Sequence, residues 1–157
     1  MLDKILEWLI VGFFGFFLGY IIFDKAEKDF TNEEIEEYTI KPSFFTKPPK
    51  DGLKEALDYY GIEHKDIVYA QAVLETGYFK SKLCTVDNNL FGLYNSTKGR
   101  YHKFNHWHES VKAYKDWIQC RYDSTENYYN FLDRIMYAEN PDYIKTLKNL
   151  NNRLLRN

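Results

Sequence analysis

The sequence holds only two cysteines, Cys84 and Cys120, among its 157 residues. Nothing around either marks a thiol nucleophile, although His102, His106 and His108 are near in sequence. Whether the two pair depends on their separation in space, which spacing does not give. A basic excess is also missing: 21 Lys and Arg stand interspersed with 23 Asp and Glu, for a net charge of -2. That excludes the positive footprint needed on a nucleic-acid backbone. The three clustered histidines have no H-E-x-x-H pattern among them, so neither a metal nor a cofactor is expected. Internal repeats and low-complexity stretches are absent too. Apolar matter is abundant: 45% hydrophobic residues and 18% aromatics, with 14 Tyr and 12 Phe. Such a composition excludes disorder over most of the chain.

The first apolar feature is the run Ile5 to Phe23, in which no residue from Trp8 onward is charged. At about 1.5 Å per residue, a helix of that length approaches the roughly 30 Å of a bilayer's hydrocarbon. A cleaved signal peptide would carry a basic n-region and a small-x-small site, and this segment has neither. The expectation is a single transmembrane anchor over residues 1–23, touching lipid through residues 5–23. Lys4 lies before the run and Lys25 and Lys28 after it, so charge does not orient it. Residues 24–49 read as a tether, charged at first and then carrying Pro42, Pro48 and Pro49.

From Lys50 to Asn157 the periodicity is helical. Leu53, Leu57 and Tyr60 share one stripe, closed by Gly61. A second helix is expected over His64–Thr76, with Gly77 as its terminating glycine. Val111, Tyr114, Ile118 and Tyr122 outline a third. Tyr128, Phe131, Leu132 and Ile135 outline a fourth, with Ser124 or Thr125 as cap. Asn140-Pro141 opens a fifth, striped by Tyr143, Leu147, Leu150 and Leu154. Between Phe91 and Trp107 the turn chemistry of Asn95-Ser96 and Lys98-Gly99 predicts a hairpin or irregular lobe. The fold class is thus mainly α with one short β lobe.

Within the second helix, Glu75 is an acid among apolar and small residues at the helix end. The negative pole of the helix and apolar surroundings both favour its protonated form. A carboxylic acid held neutral can donate a proton to a leaving oxygen. Gln71, one turn earlier, is placed to hydrogen-bond it. Among the many aromatics, Phe79, Phe91, Tyr94, Tyr101, Phe104 and Trp107 are the candidates for packing on sugar rings, most of them expected in the core, with Tyr94 and Tyr101 foremost because they lie in the lobe.

The stretch AQAVLETGYFKSKL followed by Asn88-Asn89-Leu90-Phe91-Gly92, with FNHWHESVKAYKDWI and YAENPDYIKTLK, resembles the glucosaminidase domain of glycoside hydrolase family 73. The likeness spans roughly residues 50 to 150, and it implies a lysozyme-like helical domain over 50–157. It implies that Glu75 is the general acid and that Asn88 to Gly92 shape the cleft, with Asn89 among the contacts. It implies that Tyr137 or Tyr143 lines the reaction centre. The substrate implied is the glycan strand of bacterial peptidoglycan, cut after N-acetylglucosamine. Since that polymer lies outside the cytoplasmic membrane, the anchor would be N-in and C-out. The alternatives on the same fold are a lytic transglycosylase or muramidase, or an inactive glycan-binding membrane protein.

One departure from the family pattern concerns a second carboxylate. Many members carry one in the lobe, yet Gly92 to His108 contain no Asp or Glu. Asp87 and Glu109 flank the lobe and are the remaining candidates. The expectation is that Glu75 acts with the substrate's own 2-acetamido group or with a tyrosine-held water.

Overall fold

A computed structural model of the protein describes residues 41–156. The apolar run 5–23 and the tether up to residue 40 lie outside the described residues. Within them, no helix is long and apolar enough to cross a membrane. From Ser43 onward the chain folds as one unit.

That unit opens with a 3-10 turn, Ser43–Thr46, whose Phe44 is fully buried. Burying a phenylalanine ring contributes about 1.5–3 kcal/mol, and here it fastens the turn to the helices behind it. Helix α1 (Pro49–Tyr59) starts on a proline, whose missing N–H costs nothing at a first turn. Gly52 in α1 leaves room for its neighbours: a Cβ there would lie 2.9 Å from Trp107 and 3.1 Å from Phe44. Helix α2 (Lys65–Glu75) buries Val68, Ala70, Gln71, Ala72 and Val73, so it has little solvent face and runs through the core. The short helix α3 (Lys82–Thr85) follows, with Ser81 accepting from the Cys84 N–H at its start.

Strands β1 (Tyr94–Asn95) and β2 (Arg100–Tyr101) form the expected antiparallel hairpin. Tyr94 faces Tyr101 and Asn95 faces Arg100. The Asn95 side chain accepts from the Lys98 N–H and closes the turn, with Gly99 at φ +60. Helices α4 (Trp107–Trp117), α5 (Tyr128–Arg134) and α6 (Tyr143–Leu154) complete the domain. Helix α6 packs along α2, its Tyr143, Leu147 and Leu150 buried as the stripe predicts. The architecture is mainly helical with one two-stranded hairpin.

Three helix ends differ from the sequence reading, one for a tertiary reason and two through local side-chain bonds. Helix α4 stops at Trp117 and gives way to a 3-10 turn, Gln119–Arg121. Gln119 is drawn inward there and pairs with both backbone groups of Glu63. Helix α5 is capped by Asn127, which accepts from the Tyr129 N–H, while Thr125 is bonded to Asp123 in the preceding loop. Helix α6 begins at Tyr143, because Asn140 accepts the Asp142 N–H in a turn of its own.

Candidate active site

Glu75 is the last residue of α2, and the chain beyond it is sharply constrained. Gly77, at φ +54, donates to the Leu74 carbonyl, and Tyr78 donates to that of Val73. These two bonds make the Schellman cap that a glycine after a helix predicts. The left-handed backbone continues through Tyr78 at φ 61 and Phe79 at φ 64, where bulky residues are rarely found. Thr76 holds this turn, donating to the Ala72 carbonyl at 2.6 Å and accepting from the Phe79 N–H at 2.8 Å. Backbone strain of this kind persists only where surrounding bonds over-determine it. Here they fix the position of the acid.

Burial pushes the Glu75 carboxyl above the ordinary carboxylate range, and the neighbouring Tyr143 hydroxyl offsets part of that rise. Gln71 does not meet Glu75 directly: its amide nitrogen donates to Tyr143 at 3.3 Å and its oxygen accepts from Tyr114 at 2.8 Å. Tyr137 stacks on Tyr143 with ring centres 5.8 Å apart and donates to the Phe91 carbonyl at 2.7 Å. Gly92, at φ +63, closes the other side of the carboxylate.

Glu75 opens into a cleft of about 780 Å³. One wall is the hairpin, with Tyr94 and Tyr101 edge to face at 5.3 Å and both half exposed. The other wall is the loop from Ile135 to Asn140, which includes Tyr137 and Glu139. Phe91, Gly92, Leu83, Ile118 and Arg121 complete the lining. Of the residues singled out in the sequence, Glu75, Phe91, Tyr94, Tyr101 and Tyr137 line this one cleft.

Other expected contacts have different occupations. Tyr143 and Gln71 sit behind the acid, not on the cleft surface. Asn88 donates to the carbonyls of Phe104 and Asn105, and buried Asn89 bonds Leu93 and His102. Both asparagines tie the Leu90–Leu93 segment to the lobe, so they shape the cleft without lining it. Asp87 pairs with Lys103 at 2.8 Å, and Glu109 accepts from the Asn105 N–H at 3.1 Å. Neither of these carboxylates lines the cleft. Glu139 and Arg121 do, and the sequence reading passed over both. For Glu139 a signal existed, since it stands between Tyr137 and Tyr143 in YAENPDY; Arg121 had none.

The histidines separate in space. His108 stacks between Phe45 and His106, at 4.0 and 5.5 Å, and its Nδ1 meets the Tyr60 hydroxyl. His102 packs instead on Trp117. Among the described residues no three His, Cys, Asp or Glu side chains converge as a metal site. Cys84 is a buried free thiol and Cys120 an exposed one, so the two are not bridged.

Comparison with known proteins matches residues 50–156 to the family model Glucosaminidase, described as mannosyl-glycoprotein endo-beta-N-acetylglucosaminidase. Among solved structures, the catalytic domain of the autolysin Auto from Listeria monocytogenes is similar at 18% identity. The match covers 78% of this chain and 92% of that one, with a TM-score of 0.47. No curated protein sequence matches the chain.

Proposed function

This chain belongs to the glucosaminidase family, a group of glycoside hydrolases, and from that premise we propose that it cuts the glycan strand of bacterial peptidoglycan after N-acetylglucosamine. The observation that carries this reading is Glu75: a carboxyl kept above its ordinary range by burial, opening into a cleft walled by exposed tyrosines. A polymer of sugar rings suits such a cleft, because tyrosine faces pack on the apolar faces of pyranose rings.

In this reading neutral Glu75 gives its proton to the glycosidic oxygen as the bond from C1 to that oxygen breaks. The positive charge left on C1 is met by the carbonyl oxygen of the sugar's own 2-acetamido group. Water then adds at C1, displacing the acetamido oxygen from it, and gives a proton to the Glu75 carboxylate. Tyr137 is suited to holding that water, since its proton is spent on the Phe91 carbonyl and its oxygen is left to accept. Glu139 is the other carboxylate on the cleft wall, in place of the lobe acid found in many relatives. The reading also makes residues 5–23 a single membrane anchor and sets the catalytic domain on the outer face of the cytoplasmic membrane.

Mass analysis of the fragments released from purified peptidoglycan tests the proposal. Reducing-end N-acetylglucosamine is expected. Anhydro ends would mean transglycosylation, reducing muramic acid a muramidase, and binding without any fragments a glycan-binding module.

A further inference from the structure

We propose that Gln119, Tyr128, Tyr114, Gln71 and Tyr143 form a one-way hydrogen-bond relay that aims the Tyr143 hydroxyl at Glu75, which makes Tyr114 and Tyr128 positioning residues for the acid. The inference rests on Glu75 being that acid, and it adds residues that never reach the cleft.

The direction of the relay follows from its far end. The Glu63 N–H donates to the Gln119 side-chain oxygen at 2.9 Å. The opposite side of that amide is therefore its nitrogen, which donates to the Glu63 carbonyl at 2.9 Å and to the Tyr128 hydroxyl at 3.2 Å. Turning the amide over would set two donors against each other at the Glu63 N–H and two acceptors at its carbonyl. A peptide group of the backbone thus fixes which way Gln119 faces.

Everything downstream is then determined by counting protons. Tyr128 accepts from the Gln119 nitrogen, so the Tyr114 oxygen 2.8 Å away is the acceptor its own proton has; the reverse direction would leave that proton unpaired. Tyr114 spends its proton on the Gln71 side-chain oxygen at 2.8 Å. That fixes the Gln71 amide, whose nitrogen donates to Tyr143 at 3.3 Å. Tyr143, having accepted, has its own proton left for the neighbouring Glu75 carboxyl. The path joins the 3-10 turn after α4, then α5, α4, α2 and α6.

Its members are sealed from water: Gln71 and Tyr114 are 0% exposed, Tyr128 1%, Gln119 6% and Tyr143 8%. A buried polar group without a partner is costly, so no member can turn without orphaning its neighbour. The tyrosines also hold their protons throughout an assay range, since burial pushes Tyr128 up to about 12 and raises Tyr114 and Tyr143 as well. The relay is a fixed donor, not a titrating one. The titratable and charged groups facing Glu75 are Tyr143 from α6 and Tyr137 from the loop after α5. Arg121, Glu139, Tyr94 and Tyr101 share its cleft.

The test uses the full chain carrying Tyr114→Phe or Tyr128→Phe, which keep the rings packed and remove only the hydroxyls. Losing the donor disfavours ionised Glu75, so its titration moves to higher pH. The alkaline limb of kcat/KM is expected to move up by about half a pH unit or more, with kcat down several-fold and KM little changed. Glu75 carboxyl 13C titration should move in the same direction. A lower melting temperature with both profiles superimposed on wild type would reduce the relay to scaffold and overturn the proposal. Should these variants fold poorly, hydroxyl-proton NMR on the wild-type chain reads the direction itself. The Tyr128 proton must show its contact to Tyr114, and the Tyr114 proton to Gln71; the reverse pattern sinks the idea. If the carboxyl titration moves while the activity profile does not, the relay stands and Glu75 is not the acid.

Discussion

Gly92 lies directly against the carboxylate of Glu75: a Cβ on Gly92 would come within 3.3 Å of Oε2 and 4.0 Å of Cδ. Its backbone is left-handed at φ +63, so two independent constraints exclude a side chain there. Gly92→Ala is expected to lower kcat/KM at least ten-fold by crowding the acid. The strained backbone should cost stability as well, about 1–3 kcal/mol. Steady-state kinetics and denaturant melts on the same preparation check both.

Glu75→Gln should abolish cleavage, a loss of about a hundred-fold or more for a general acid, while strand binding persists. Stability should respond in the opposite sense. Burial raises the folded-state pKa of Glu75, so its contribution is fully present below the ordinary carboxylate range. It is lost as pH rises through the folded-state value. The melting temperature of Glu75→Gln relative to wild type should therefore climb with pH across that window. A constant offset would contradict burial of the acid.

The positions of the carboxylates divide the remaining acids. Asp87 is paired with Lys103 and Glu109 with a backbone N–H, whereas Glu139 lines the cleft. Asp87→Asn and Glu109→Gln are expected to keep activity within about three-fold, since breaking a mostly surface pair or a first-turn contact costs only about 1 kcal/mol of stability. Glu139→Gln should cut kcat about ten-fold or more. Equal activity of all three variants would leave the 2-acetamido group as the sole partner of Glu75.

Tyr94 and Tyr101 expose half their surface on the hairpin wall, packed edge to face at 5.3 Å. Aromatic faces left this open in a sugar-sized cleft are suited to binding and contribute little to folding. Tyr94→Ala and Tyr101→Ala should each raise KM several-fold with kcat nearly intact. Thermal midpoints should stay within about 2 °C, because surface truncations cost little. A fall in kcat without a change in KM would move them into the chemistry.

The helical class and the hairpin were legible along the chain, and Glu75 stood out there as the candidate acid. Stripes such as Tyr143, Leu147 and Leu150 bury one face because hydrophobic burial is local to a helix and legible from its period. Glu75 and Gly77 were legible for a similar reason: a helix end and its left-handed glycine are neighbours along the chain. The roles of polar side chains were not. Asn88 and Asn89 read as cleft contacts, and only the fold shows them bonded to the lobe's carbonyls. Gln71 reads as a partner of Glu75 one turn away, yet Tyr143 stands between them. Glu139 and Arg121 reach the cleft from opposite sides of α5. A hydrogen bond depends on which group lies within 3.5 Å after packing, a distance no spacing along the chain sets. Only the tertiary structure could join Gln119 to Glu75.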